Sequence, residues 1–333
     1  MPSVTRRRLA VLTAALTLAL SACSSQGGAQ NQENDNAAPA GQVANNERFT
    51  IAMITHETPG DTFWNKIRAG AEAAAAKDNI ELKYSNDPSA DKQAGLIQNA
   101  VDSKVDGIAT TLVTPNALAG AVKSALDAKI PVVGFNSGIS DFRQLGVPMY
   151  FGSDEDLAGN SVGQRLAQGG AKKALCVIQA EGSVALEARC AGVKKGLASG
   201  TTENIQVNGA DIAAVQSTLT AKLQQDKTID SIVTLGAPIA MAALQSMSDA
   251  GSSAKLVTFD LNAEAAQAIQ DGEIEFSVDQ QPFVQGYLAV DSLWLNLTNA
   301  NDIGGGQPVL TGPSFVDSSN IGPILEYAKK NTR

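Results

Sequence analysis

The stretch FTIAMITHETPGDTFWNKIRAGAEAAAAK, residues 49–77, shows the pattern that the rest of this chain repeats. Its first seven residues form the apolar, β-branched run of a strand buried on both faces. A polar loop with Pro59 and Gly60 follows, and residues 62–77 carry the alanine-rich pattern of a helix. Strand, loop and helix in this order predict one βα unit of a parallel sheet.

The same alternation of β-rich runs and helical stretches continues along the chain, ending with a long helix over 284–297, a strand near 309–316 and a helix over 321–330. Two series of βα units meet near Gly152 and again near Gln280. The predicted fold is therefore α/β, with two Rossmann-like lobes of parallel sheets, several crossings between them and a ligand cleft in between. The N-terminal lobe should comprise 48–152 plus about 281–309, and the C-terminal lobe 153–280 plus about 310–333.

A leader precedes the folded body. Three arginines, a short apolar run and Leu20-Ser21-Ala22-Cys23 match a lipoprotein signal peptide over residues 1–22, with a diacylglycerol on Cys23. An ordinary cleaved secretory signal is the alternative, and either the general or the twin-arginine export route fits. Residues 23–47 are rich in Ser, Gly, Gln and Asn and predict a disordered tether. We therefore expect an extracytoplasmic protein that contacts the membrane through its lipid alone.

Net charge and cysteine content indicate which partners are excluded and whether a disulfide forms. Loss of the leader's three arginines leaves 22 basic and 34 acidic residues, a net charge of −12, which argues against nucleic acid as a partner. Cys176 and Cys190 are then an even pair in an oxidising compartment, so we expect a disulfide, with two reduced buried thiols as the alternative. The sequence shows no pattern for a metal site or a cofactor, and we expect a monomer.

Polar residues follow the predicted strands. Because ligands bind beyond the carboxyl ends of parallel strands, these residues are candidates for a binding site. They are Thr55, His56, Thr114, Asn136 and Ser137 in the first series, and Gln179, Asp260 and Gln280 in the second.

Several short motifs, in order, give the chain a family resemblance. They are Asp61-Thr62-Phe63-Trp64, the run 130–137 (IPVVGFNS), Gly152-Ser153-Asp154, Glu187-Ala188-Arg189, Thr258-Phe259-Asp260 and Asp279-Gln280-Gln281-Pro282. With these motifs the chain resembles the periplasmic sugar-binding proteins of ABC transporters, of the ribose and galactose type, from Arg48 to Val316.

The resemblance implies a role for individual residues. Phe63 and Trp64 would stack on a sugar ring, while its hydroxyls would bond to Asp61, Asn136, Arg189, Asp260 and Gln280. The chain departs from the ribose-binding pattern, because Asn136-Ser137 replaces a charged pair and Gly236-Ala237 replaces an Asn-Asp pair. The resemblance therefore implies a less charged pocket than one for ribose.

Each assignment has a structural alternative. Phe63 and Trp64 could be core residues, Asn136 could shape a turn and Asp260 could cap the next helix. Arg189 could lie on the surface beside Glu181 or Glu187. His56 could bond a ligand hydroxyl or cap its own loop.

The sequence also allows a test of three other functions: a hydrolase, a repressor and a receptor. Gly159-Asn160-Ser161-Val162-Gly163 has the G-x-S-x-G pattern of a hydrolase, but it lies inside a predicted helix and the single histidine precedes it. A repressor would need a DNA-binding segment where the leader stands. A receptor for signalling or chemotaxis, or a binder of nucleosides or furanosyl signals, remains open. We predict a non-enzymatic lipoprotein that binds a small neutral monosaccharide or polyol by hinge closure for an ABC permease.

Overall fold

The structure is a computed structural model that describes residues 44–333. The predicted signal peptide, Cys23 and the tether up to residue 43 lie outside the described residues. The first half of the described chain contains β1 (Phe49–Thr55), α1 (Phe63–Asp78), β2 (Ile80–Asn86), α2 (Ala90–Asp102), β3 (Gly107–Thr111), α3 (Pro115–Asp127), β4 (Val132–Phe135), β5 (Met149–Ser153) and α4 (Glu155–Gln168).

The second half contains β6 (Lys173–Ile178), α5 (Val184–Gly196), β7 (Thr201–Gln206), α6 (Ile212–Gln225), β8 (Ser231–Thr234), α7 (Ala237–Ala250), β9 (Lys255–Phe259), α8 (Ala263–Asp271), β10 (Phe276–Asp279), α9 (Pro282–Asn299), β11 (Val309–Gly312), β12 (Ser314–Asp317) and α10 (Ile321–Lys329). Helices pack on both faces of two sheets.

The two sheets define two lobes. One has the strand order β11-β5-β4-β3-β1-β2, and the other β12-β10-β9-β8-β6-β7. The pairings in the first sheet are parallel, whereas β12 runs antiparallel to β10 at the edge of the second. The predicted fold class, two α/β lobes with crossings between them, is confirmed, and β12 is the exception to parallel order.

Within residues 44–333 the chain passes between the lobes at three places: after β5, after β10 and between β11 and β12. The single strand predicted near 309–316 is wrong, because β11 pairs with β5 and β12 with β10. Pro313 separates them, and a proline has no N–H to continue a ladder. The third crossing therefore falls at Pro313 and not between residues 309 and 310.

The folded body begins earlier than Arg48. The Ala44 N–H donates to the Lys77 carbonyl at 2.9 Å, and Trp294 Nε1 donates to Asn46 Oδ1 at 3.1 Å. Asn79 Nδ2 also donates to the Asn46 carbonyl, at 3.0 Å. The prediction that residues 44–47 belong to a disordered tether is therefore wrong, since hydrogen bonds to α1 and α9 fix them.

Close helix pairs bring the binding residues to the cleft. A Cβ added at Gly159 of α4 would overlap the Arg189 carbonyl of α5, so α4 and α5 can touch only through glycine. Ser161 lies within α4 and donates to the Leu157 carbonyl at 2.8 Å, so the G-x-S-x-G pattern packs helices. The predicted disulfide is present: Cys176 of β6 and Cys190 of α5 have a Cα–Cα distance of 5.9 Å.

Candidate functional site

A cavity of about 290 Å³ lies between the lobes, beyond the carboxyl ends of β1, β4, β6, β8, β9 and β10. Nine of the twelve predicted binding residues line it: His56, Asp61, Phe63, Trp64, Asn136, Gln179, Arg189, Asp260 and Gln280. Their convergence from both lobes makes this cavity the candidate ligand site.

The other three predicted residues lie away from the cavity, so their assignment to its lining is wrong. Thr55 is fully buried, and its hydroxyl pairs with Tyr84 OH of the neighbouring strand at 2.9 Å. Thr114 occupies the N-cap position of α3. Ser137 is buried behind Asn136, and its carbonyl accepts from the Leu112 N–H at 3.1 Å.

Aromatic rings form the N-terminal wall, which is the side of the cavity that the N-terminal lobe lines. The Trp64 ring meets the Phe63 ring edge-on at 5.2 Å and the His56 ring at 4.7 Å, measured between centroids. Phe63 and Trp64 are 9% and 4% exposed and belong to the core of this lobe. The two proposed roles, core packing and cavity lining, therefore coexist in both residues.

His56 is held by a relay of side chains. Gln93 Nε2 donates to Thr111 Oγ1 at 3.0 Å, and the same hydroxyl lies 2.8 Å from His56 Nδ1. We assign the Thr111 hydroxyl hydrogen to Nδ1 and the ring proton to Nε2, because this tautomer uses the hydroxyl both as acceptor and as donor. Within residues 44–333, Nε2 has no hydrogen-bond partner. Burial lowers the pKa of His56 to about 3, so the ring is neutral and offers one N–H donor.

Asp61 stands where the loop after β1 enters α1. Its Oδ1 accepts the Phe63 N–H at 3.0 Å, which orients the start of the helix that carries both aromatic rings. Burial raises the pKa of this carboxyl. Asp61 therefore both shapes the aromatic wall and lines the cavity.

Charged groups form the C-terminal wall. Arg189 is 3% exposed, which excludes the surface alternative, and its Nε and Nη2 donate to Glu155 at 2.6 and 3.2 Å. Its Nη1 donates to the Leu235 carbonyl at 3.1 Å and lies 3.9 Å from Asp260 Oδ2. Burial raises the pKa of Asp260 to about 7, although the Arg189 charge opposes this rise.

Asn136 and Asp260 occupy equivalent positions in the two lobes. Each follows a phenylalanine at a strand end, and each has a left-handed backbone with φ of 64°. Asn and Asp tolerate this conformation better than other residues with a side chain. Asn262, whose side chain accepts the Ala265 N–H at 2.7 Å, caps α8, so the capping alternative for Asp260 is excluded.

Gln280, at the second crossing, joins the lobes. Its Nε2 donates to Asp260 Oδ1 at 2.8 Å, and its Oε1 accepts from Asn136 Nδ2 at 3.2 Å. Gln285 Nε2 bonds the same Oε1 at 2.9 Å and Thr311 Oγ1 at 3.1 Å. One hydrogen-bond network therefore ties two crossings to both walls.

Gln179 leaves a buried acceptor beside the cavity. Its Nε2 donates to the Leu235 carbonyl at 3.2 Å, while its Oε1 has no partner within the described residues. Gly236 allows this arrangement, because a Cβ there would lie 3.0 Å from Gln179 Nε2. A buried acceptor without a donor is costly unless a ligand or water supplies one.

Sequence reasoning missed three residues of this region. Glu155 pairs with Arg189, Gln285 links the crossings, and Lys66 of α1 is 1% exposed with no partner for its Nζ among the described residues. Burial lowers the pKa of Lys66, while Asp260, Asp61 and Asp279 oppose that change. The triplet Gly152-Ser153-Asp154 marked the crossing before Glu155, but no local pattern marked the other two.

Comparison with known proteins identifies the family. The model of the periplasmic binding protein domain matches residues 51–301. The chain belongs to this family. It is a solute-binding protein of the kind that serves ABC sugar importers, works outside the cytoplasm and is not an enzyme. In the described part, no helix is long and apolar enough to cross a membrane, and no cluster of metal-ligating side chains is present.

Individual relatives agree with this assignment. A carbohydrate transporter from Acidothermus cellulolyticus, solved in complex with myo-inositol, is 54% identical with a TM-score of 0.85 and covers 86% of this chain and 100% of its own. The xylose/arabinose-binding protein of Sulfolobus acidocaldarius is 24% identical over 86% of this chain and 75% of its own. The ribose import binding protein of Bacillus subtilis is 24% identical over 74% of this chain and 81% of its own.

Proposed function

We propose that this protein captures a small neutral cyclic polyol or monosaccharide, of which inositols are the leading class, and delivers it to an ABC permease. The observation that carries the proposal is the cavity's combination of an aromatic wall with unpaired hydrogen-bonding groups. At about 290 Å³ the cavity lies at the small end of ligand pockets.

The unpaired groups match hydroxyls. Asp260 Oδ2 and Gln179 Oε1 can accept hydrogen bonds, while His56 Nε2 can donate one. A hydroxyl both donates and accepts, so a ring that carries several hydroxyls can satisfy all three groups together. Phe63 and Trp64 would cover the apolar C–H face of such a ring.

The charges favour a neutral ligand. The Arg189 cation is matched by Glu155, so the guanidinium has no free charge to offer a carboxylate or phosphate. The carboxylates of Asp61 and Asp260 on the cavity lining would repel an anion. The 54% identity to a protein solved with myo-inositol supports a polyol in particular.

Thermal shift measurements on residues 24–333 test the proposal against inositols, aldoses, ketoses, linear polyols and nucleosides. A ligand at about 1,000 times its Kd stabilises the native state by about 4 kcal/mol. We expect the unfolding temperature to rise with myo-inositol and its near stereoisomers. A shift with nucleosides alone would replace the proposed ligand class, and a folded protein with no shift would contradict the proposal.

Transport requires no chemical step. Ligand contacts from both walls would favour closure about the three crossings, the permease would bind the closed form, and ATP-driven opening would release the ligand. The network of Gln280, Gln285 and Thr311 lies where such a rotation would occur.

A lipid anchor on Cys23 belongs to the same proposal and rests on the sequence motif. We expect Cys23→Ser to move the protein from the membrane fraction to the soluble extracytoplasmic fraction, because the acyl chains would be missing. Wild-type protein in a parallel fractionation is the control. A variant that stays with the membrane would contradict the anchor.

A further inference from the structure

Glu155 begins α4 directly after the first crossing and is 3% exposed. Both of its carboxylate oxygens accept from Arg189, one from Nε at 2.6 Å and the other from Nη2 at 3.2 Å. Burial raises the pKa of Glu155, and the two-point contact with a guanidinium is the geometry of an ionised carboxylate. Contact between α4 and α5 at Gly159 keeps the two side chains together.

Asp260 is the second carboxylate within reach of the same guanidinium. Arg189 Nη1 is 3.9 Å from Asp260 Oδ2, beyond hydrogen-bond distance, and donates to the Leu235 carbonyl at 3.1 Å. Asp260 Oδ1 accepts from Gln280 Nε2, while no described residue donates to Oδ2. The guanidinium is therefore hydrogen-bonded to Glu155 and not to Asp260.

We propose that Glu155 is a positioning residue: by binding Nε and Nη2 of Arg189, it keeps Asp260 Oδ2 available for a ligand hydroxyl. Without this carboxylate, Arg189 is free to turn toward Asp260 and form the direct pair. The acceptor that faces the cavity is then occupied before a ligand arrives. The predicted effect on ligand binding rests on the proposed function, whereas the predicted change in the Asp260 pKa can be measured without a ligand.

The local charges set the direction of the change at Asp260. Arg189 lowers its pKa, while Glu155 and Asp279 raise it. Lys66 adds a positive charge from the opposite lobe, and around Glu155 itself stand Asp154 and the Tyr150 hydroxyl. Removal of the Glu155 charge takes away one group that raises the Asp260 pKa and frees another that lowers it. Both changes act in the same direction.

The first test uses Glu155→Gln in the ligand-free protein, which retains the shape of the side chain. NMR titration of the Asp260 carboxyl carbon should give a pKa near 7 in the wild type and a value lower by at least about one unit in the variant. Asp156→Asn is the matched control, because this neighbour on α4 is exposed and pairs with Lys195. The control should leave the Asp260 pKa unchanged.

The second test measures binding of myo-inositol by calorimetry from pH 5 to pH 9. Glu155→Gln should weaken binding about tenfold above pH 8. The pH at which the affinity has made half of its change should also be lower than in the wild type. A simple packing defect would weaken binding without lowering this pH. Asp156→Asn should bind as the wild type does.

Several results would overturn the proposal. One is an unchanged Asp260 pKa in folded Glu155→Gln, and another is wild-type affinity with a lowered pKa. If Glu155→Gln does not fold, Glu155→Asp replaces it; this variant keeps the charge but is one methylene too short for the two-point contact. It should shift the Asp260 pKa in the same direction, and wild-type behaviour would overturn the proposal. Wild-type protein that binds no member of the panel contradicts the proposed function, while the NMR result still decides the role of Glu155.

Discussion

The N-terminal lobe contributes Phe63 and Trp64 to the cavity, whereas the C-terminal lobe contributes Arg189 and Asp260. The two rings are part of a hydrophobic core, so the same packing that folds the lobe fixes their positions. The charged pair is held by other polar groups, Glu155 and Gln280, in a buried setting. The N-terminal wall therefore depends on shape and the C-terminal wall on electrostatics. Substitutions in the two walls should affect stability and ligand affinity to different extents.

The largest effect is expected at the aromatic wall. Trp64→Ala should lower the free energy of unfolding by about 3–5 kcal/mol, because a large core side chain is lost, and it should weaken ligand binding as well. Denaturant unfolding and calorimetry measure the two effects. Trp294→Ala is the matched control, since Trp294 packs on the same core away from the cavity and should affect stability alone. A stable Trp64→Ala protein would contradict this account of the wall.

The charged wall should separate binding from stability. Above pH 8, where the Asp260 carboxyl is ionised, Asp260→Asn should weaken binding about 100-fold, because the amide cannot replace a charged acceptor. Asn also accepts the left-handed backbone at this position, so the unliganded protein should unfold no more easily than the wild type. Asp271→Asn, at an exposed carboxylate that ends α8, is the control in calorimetry and thermal unfolding. A marked loss of apo stability would mean that Asp260 has a structural role.

The pH dependence of the unliganded protein gives a finer test. Between pH 4 and 7 the folded state keeps a proton on Asp260, whose pKa is about 7, that the unfolded chain has already released. This residue therefore makes the protein less stable as pH rises through that range. We expect the free energy of unfolding of the wild type minus that of Asp260→Asn, both measured in urea, to fall between pH 4 and pH 7. His56, with its lowered pKa, has the opposite slope in both proteins and cancels in the difference.

The smallest effect is expected at Ser137, which does not line the cavity. Ser137→Ala should leave ligand affinity within about twofold of wild type and raise stability by up to about 1 kcal/mol, because the buried Ser137 Oγ has no hydrogen-bond partner among the described residues. Calorimetry and urea unfolding provide both values. A tenfold loss of affinity would return Ser137 to the binding site.

The fold could be predicted largely because local patterns repeat. Buried strands such as β1 and β6 read as apolar runs, and the helices after them start near polar or proline residues. The strand predicted at 309–316 was wrong because an apolar run contains no information about which sheet each half joins. Pro313 was the available signal, and it lies at the crossing.

Position after a strand predicted five residues of the cavity lining, since residues at strand ends converge in any parallel sheet. The family resemblance implied the other four, which are Asp61, Phe63, Trp64 and Arg189. The prediction that Thr55 and Ser137 line the site was wrong because the direction of a side chain at a strand end depends on its neighbours. Thr55 turns to Tyr84 of β2, and the left-handed backbone of Asn136 puts Ser137 behind it. Such contacts join residues far apart in the chain and leave no local pattern.

Local patterns and positions after strands were enough to predict the α/β class, the two lobes, the cysteine pair and the polar residues at the strand ends. The aromatic residues Phe63 and Trp64 were assigned to the cleft by the family resemblance. Only the tertiary structure decided which groups remain unpaired in the cavity. The family resemblance assigned Arg189 to a ligand, but its pairing with Glu155 depends on the contact between α4 and α5. In the proposed role of Glu155, the availability of Asp260 Oδ2 depends in turn on that pairing, which holds Arg189 Nη1 3.9 Å from this oxygen.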